Sequence, residues 1–300
     1  MQKIVPHLWF DQEVKEATEF YCSVFPNSKI IVTSTLHDTP GGDTEVVTFQ
    51  LNGHDFMAIN GGPYFKINPA ISFILNFDPS QDDGAQGHLQ ELWDQLARNG
   101  TVLMPLQEYP FSKLYGWVQD KFGVSWQLML TDPAGEPRPF ITPVLMFAGD
   151  STNKAEEALN FYLSVFKDTK PGTLARYTED TGPAKKGSLM FADFMLEGQW
   201  FAVMDSGVDQ SFGFNEAISL LINCADQKEI DYYWAKLSAV PEAEQCGWLK
   251  DKFGVSWQVS PDSLSDMLLK GTPEQIDRVT KAFLKMKKFD LAELEAAYKG

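Results

Sequence analysis

The sequence predicts an α+β fold built by tandem duplication, with a helical tail at its end. Three observations predict it. The stretch at residues 116–127, GWVQDKFGVSWQ, returns at residues 247–258 as GWLKDKFGVSWQ, changed only at Val118 against Leu249 and Gln119 against Lys250. In the first half the hydrophobic pattern runs strand, helix, strand, strand, strand and then begins again, and the second half replays the first. Beyond Pro261 the repeat stops and a helical period of apolar residues replaces it.

The repeated stretch reads as a β-hairpin. Asp120 can bond the backbone ahead of it, and Gly123 can take the left-handed conformation that closes the loop. On the return strand Val124, Trp126 and Leu128 share one face, and Ser125 and Gln127 share the other. From the start of the chain, residues 6–10 form a strand. Asp11 then caps a helix through Phe25, with Val14, Ala17, Tyr21, Val24 and Phe25 inward. Residues 29–36 are a β-branched strand and residues 37–43 a loop. Residues 45–51 and 54–60 are a hairpin joined by Asn52-Gly53. Residues 70–77 are the next strand, residues 88–98 a helix with Leu89, Leu92, Trp93 and Leu96 inward, and residues 101–106 a strand before the Trp117 hairpin. The first half is thus two βαβββ modules. A lone module leaves a sheet edge uncovered, and pairing two of them buries it.

Residues 132–139, with Pro133, Pro137 and Pro139, are the linker. Asn160-Phe-Tyr-Leu-Ser-Val-Phe166 then matches Glu19-Phe-Tyr-Cys-Ser-Val-Phe25, and Asn215-Glu-Ala-Ile-Ser219 matches Asn68-Pro-Ala-Ile-Ser72. The segment over residues 100–115 shrinks to residues 240–246, so one strand is expected to be truncated there. The expected domains are residues 1–135, residues 141–261 and a helical tail over residues 262–300. In the tail Thr272-Pro273-Glu274-Gln275 is a capping box, Ile276, Val279, Phe283 and Met286 make an apolar face, and Asp290 with Glu293 opens a last short helix.

Three hundred residues suit two domains with their own cores, and 44% hydrophobic residues is a globular composition. No apolar run approaches the ~20 residues that span a bilayer, and the first residues show no apolar signal region, so a cytoplasmic protein is expected. A net charge of -16 disfavours nucleic acid and anionic lipid as partners. Cys22, Cys224 and Cys246 lack the paired spacing of a disulfide framework or a thiolate zinc site and read as small hydrophobes.

The paired βαβββ modules resemble the vicinal oxygen chelate superfamily, which includes glyoxalase I and the extradiol dioxygenases. Three motifs look like its PhnB-like branch, labelled 3-demethylubiquinone-9 3-methyltransferase. They are Asn60-Gly-Gly-Pro63 running on to Asn68-Pro-Ala-Ile-Ser72, Met204-Asp-Ser-Gly207 with Phe214-Asn-Glu-Ala-Ile-Ser219, and residues 246–258. The tail at residues 286–294 resembles that branch too. The expected fold is therefore two tandem glyoxalase-like domains, each of two βαβββ modules. The resemblance implies that single-domain relatives pair, so here the halves are expected to pair within the chain, with any further homodimer secondary.

The resemblance also implies four strand positions lining a cleft. Carried across, they are His7, Asn60, Ser72 and Gln127 in the first half and Leu145, Asp205, Ser219 and Gln258 in the second. A first-row metal wants three or more imidazole, thiolate or carboxylate donors, and neither set offers them, so no metal and no cofactor are expected. Glu45 and Glu108 are the outside donors that would restore a metal. The ligand-binding candidates are His7, Trp9, Asn60, Ser72, Trp117, Ser125, Gln127, Ser219, Trp248 and Gln258, because amides, hydroxyls and an aromatic wall suit a flat organic molecule. Asp205 is the candidate catalytic base. Asp120 and Asp251 are turn-formers. His37, His54 and His88 read as surface.

Three readings stay open. One is a binding protein, or an enzyme without a metal, that holds a small organic ligand in a strand-lined cleft. The second is a metal-dependent lyase or dioxygenase-like enzyme. The third is the methyltransferase of the label, for which the sequence lacks a strand, glycine loop and helix in the order that cradles a nucleotide-like cofactor. The full-length segment at residues 100–115 points to the first cleft as the more enclosed, and to the first half as the place where a ligand is expected.

Overall fold

The structure, a computed structural model, describes every residue except Met1, Pro40 and Gly41, and omits the side chain of Asp38. The first module is β1 (Ile4–Phe10), α1 (Val14–Val24), β2 (Lys29–Thr39), β3 (Gly42–Leu51) and β4 (His54–Asn60). The second is β5 (Ile71–Phe77), α2 (Ala85–Ala97), β6 (Thr101–Tyr109), β7 (Ser112–Gln119) and β8 (Ser125–Leu130). The third is β9 (Ile141–Phe147), α3 (Ala155–Val165), β10 (Lys170–Arg176), β11 (Leu189–Leu196) and β12 (Gln199–Asp205). The fourth is β13 (Ile218–Cys224), α4 (Gln227–Leu237), β14 (Trp248–Lys250) and β15 (Ser256–Pro261). The tail is α5 (Asp262–Lys270), α6 (Pro273–Phe283) and α7 (Leu291–Lys299). Of the expected loop over residues 37–43, residues 37–39 belong to β2 and residues 42–43 to β3, and Pro40 and Gly41 lie outside the described residues.

The modules combine across the two halves. One seven-stranded sheet runs β14-β15-β13-β1-β4-β3-β2, and one eight-stranded sheet runs β10-β11-β12-β9-β5-β8-β7-β6. β1 pairs antiparallel with β13, and β5 pairs antiparallel with β9. The chain divides into two compact units: unit 1 is residues 1–66 with 215–300, and unit 2 is residues 67–214. Each unit therefore holds one module from each half. The repeats expected over residues 1–135 and 141–261 are not cut where the compact units are cut. The reason is the uncovered edge: β1 and β5 are buried along nearly their whole length, and the edge each leaves open is covered by a module from the other half.

In each unit the helices cover one face of the sheet. In unit 1 Tyr21 of α1 stacks over Phe49 of β3, with ring centroids 6.5 Å apart. In unit 2 Trp93 of α2 lies against Gly116 of β7, where a Cβ would meet its ring at 2.5 Å. The opposite, inner face carries the candidate site. Both sheets curl around it. Strands three steps apart in a flat sheet stand ~14 Å apart. Yet the rings of His7 on β1 and Trp248 on β14 are 5.5 Å apart in unit 1. In unit 2 Tyr115 on β7 shares one apolar cluster with Met146 on β9.

The two repeated hairpins have one internal wiring. Asp120 Oδ1 accepts from the backbone N–H of Phe122 and Val124, and Oδ2 accepts from Trp126 Nε1 at 2.8 Å. Asp251 does the same with Phe253, Val255 and Trp257 Nε1. Gly123 and Gly254 take φ of 90° and 88°, the left-handed conformation the loop needs. The expected truncation is also present. β14 has three residues, and no described strand flanks it as β6 flanks β7. The tail fills that place: the N–H groups of Cys246 and Gly247 donate to the carbonyls of Met286 and Lys287 at 2.8 and 2.7 Å. The expected capping box at Thr272 and Gln275 is formed.

Candidate functional site

The inner face of unit 1 is read from strand register. His7 stands opposite Met57 on β4 and Ser219 on β13, and Trp9 stands opposite Ile59. Leu221, two residues along from Ser219, stands opposite Gln258 on β15, and Gln258 stands opposite Trp248 on β14. Ser256 lies two residues before Gln258, on the same face. The structure thus brings together His7, Trp9, Ser219, Trp248 and Gln258, drawn from both halves of the sequence. Trp9 and Trp248 meet edge to face at 6.1 Å, Trp9 meets Phe65 at 5.2 Å, and Trp9 Nε1 donates to the Gly62 carbonyl at 2.8 Å. The result is an aromatic wall around a polar floor.

The floor is under-bonded. Gln258 Nε2 donates to Ser219 Oγ at 2.9 Å. His7 is 4% exposed and its Nδ1 has no hydrogen-bond partner; Ser256 is 1% exposed and its Oγ has none either. Burial pushes the His7 imidazole down to about 4, so it is neutral near pH 7. Buried polar atoms without partners cost free energy and are scarce in folded proteins; among the described residues Ser263 Oγ and Thr280 Oγ1 of the tail share that state.

Unit 2 has the same floor, closed. Ser72 stands opposite Val144, and Gln127 stands beside it on β8. Gln127 Nε2 donates to Ser72 Oγ at 2.9 Å, and Tyr115 Oη donates to Gln127 Oε1 at 2.7 Å. Trp117 Nε1 donates to Ser125 Oγ at 3.1 Å, the bond that Ser256 lacks in unit 1. Where His7 stands in unit 1, unit 2 has Val144. Its surroundings are Ile74, Ala202, Met129, Phe191 and Met204.

Three expected residues lie elsewhere. Leu145 stands opposite Ile71, one residue out of phase with Ser72, so it faces the helices rather than the cleft. Asn60 pairs with Phe10 on the helix side of β4, and its Oδ1 accepts from Val14 N at 2.9 Å. It caps α1 in place of the expected Asp11, since Glu13 at the cap position makes no side-chain cap bond. Asp205 occupies the same place on β12. Its carboxylate accepts from Ala155 N at the start of α3 and from Leu189 N, both at 3.2 Å. Burial raises its carboxyl above the usual range, against backbone amides that hold it down. This is a helix cap with both oxygens engaged, not a base facing the cleft.

Sequence reasoning missed Ser256 and Tyr115. Ser256 was legible as the repeat partner of Ser125. Tyr115 was legible as the first divergence before the repeat, where the second half has Cys246.

The donor set does not fit a metal. His7 is the imidazole of this face, and its neighbours are hydroxyls, an amide and indoles. Among the described residues no group of three His, Cys, Asp or Glu is placed to hold an ion. Of the outside donors, Glu108 is exposed on β6, and Glu45 bonds Asn60 Nδ2 on the helix side.

The sequence profile of the 3-demethylubiquinone-9 3-methyltransferase family matches residues 2–129 and again residues 139–260. A solved structure from Bacillus cereus, a putative 3-demethylubiquinone-9 3-methyltransferase described as a PhnB protein, is 38% identical over 43% of this chain and 100% of its own, with a TM-score of 0.38. Glyoxalase I from Zea mays is similar over 88% of this chain and 94% of its own at 10% identity and a TM-score of 0.53. A putative dioxygenase from Bacillus subtilis is similar over 85% of this chain and 84% of its own at 13% identity and a TM-score of 0.50. These last two show the fold. No curated protein matches the chain. Among the described residues no helix is long and apolar enough to cross a membrane.

Proposed function

Because this chain belongs to the 3-demethylubiquinone-9 3-methyltransferase family, we propose that it binds a small flat organic ligand on the inner face of unit 1, without a metal. The observation that carries the reading is the pair of buried, unpartnered atoms, His7 Nδ1 and Ser256 Oγ, on a floor walled by Trp9 and Trp248. The same floor in unit 2 has Ser125 and Gln127 already bonded.

Native mass spectrometry of the purified full chain, with thermal-shift titration against a panel of neutral aromatic compounds, tests the reading. We expect one ligand per chain and a loss of the shift on His7→Leu and on Trp248→Ala. About one transition metal per chain, lost on His7→Ala, would overturn it in favour of a metalloenzyme. Stabilisation by S-adenosylmethionine and by no aromatic compound would favour methyl transfer.

A further inference from the structure

In unit 2 the chain supplies its own phenol to the cleft. Tyr115 is 5% exposed, and its ring packs among Trp117, Met146, Met104 and Met129. Its hydroxyl donates to Gln127 Oε1, and Gln127 in turn donates to Ser72. Unit 1 repeats the second bond, from Gln258 to Ser219, but not the first. At Tyr115's place in the repeat it has Cys246, which packs against the apolar cluster of the tail. Gln258 Oε1 has no partner among the described residues. Unit 1 therefore has the acceptor, the supporting serine and the aromatic surroundings, but lacks the phenol.

We propose that the ligand of unit 1 is a neutral aromatic molecule bearing a phenolic or enolic hydroxyl, which donates to Gln258 Oε1 as Tyr115 donates to Gln127. This rests on the ligand-binding reading above. Trp9 and Trp248 present indoles to the ring. Lys250, on the same face beyond Ser256, is already paired with Glu216 at 2.8 Å, so a charged ligand would find no free counter-ion there. Unit 2, plugged by Tyr115, takes no such ligand, and the stoichiometry is one per chain.

The test uses the full chain with two probes that differ by one hydroxyl, p-cresol and toluene, followed by calorimetry and ligand-observed NMR. The wild type is expected to bind one p-cresol per chain and to bind toluene at least about tenfold more weakly, the scale of one hydrogen bond to an otherwise unpaired acceptor. Gln258→Leu should weaken p-cresol about tenfold and leave toluene unchanged. Tyr115→Ala should open the space beside Gln127 and add a second p-cresol site, and Tyr115→Leu serves if that variant does not fold. Equal binding of the two probes, or a preference that survives Gln258→Leu, overturns the phenol while leaving ligand binding intact. If neither probe nor any compound of the neutral panel binds, the ligand-binding reading falls and the phenol with it.

Discussion

His7 shows how a buried imidazole on the inner face makes stability depend on pH. Its folded-state pKa is about 4, against 6.5 for the free side chain, because burial disfavours the imidazolium. Below pH 6.5 the unfolded chain takes up a proton that the folded chain refuses, so stability falls as pH falls from 6.5 toward 4. At pH 5 the loss relative to pH 7 is on the order of 2 kcal/mol. Urea unfolding of wild type and His7→Phe at the two pH values checks it: the variant should lose that part of the pH dependence, and parallel behaviour would refute the burial argument. The face of β1 on which His7 stands was legible because strand alternation is short-range and the start of β1 is unambiguous. Asn60 and Asp205 were misread for the opposite reason. A slip of one residue moves a strand side chain to the other face, and both sit at strand ends. The signal that corrects them is a bond to a helix start 46 residues away for Asn60 and 50 away for Asp205, which no local pattern contains.

The hairpin repeat was the most legible element, because its aspartate, glycine and tryptophan are wired within a few residues of one another. The docking of the tail beside it was not legible. The sequence shows that a strand is shortened before β14, but not that the tail takes its place. That replacement rests on Gly247, whose φ is 82° and where a Cβ would meet the Phe289 ring at 2.6 Å. Gly247→Ala should therefore strain the backbone and displace Phe289 together, at a cost of about 2 kcal/mol or more. Phe289 belongs to the cluster in which Leu264, Met267, Val279 and Phe283 of the tail pack with Leu36 of β2. Limited proteolysis should cut within residues 262–300 faster in Gly247→Ala than in wild type, with unit 2 unaffected. Unchanged cleavage of the tail would show that it is held without this contact.

At the scale of the whole chain, the duplication was legible and the exchange of modules was not. Repeats are written in sequence, but the choice of which sheet edge meets which depends on long-range pairing, and β1 and β5 present similar buried edges. The exchange has a consequence for fragments. Every strand of the eight-stranded sheet lies within residues 67–214, one unbroken run that has its own two helices and its own core. Residues 1–135 instead carry part of each sheet and leave the β13-facing edge of β1 and the β9-facing edge of β5 unpaired. Apolar edges of that kind associate. We expect the fragment 67–214 to be a monomer with one cooperative thermal transition, as a unit with a continuous core should be. We expect the fragment 1–135 to dimerise or aggregate, and to be rescued by co-expression with residues 136–300. Light scattering after size exclusion, with fluorescence-monitored melting, separates the outcomes. A stable, monomeric 1–135 beside an unfolded 67–214 would mean that the folding units are the sequence repeats themselves.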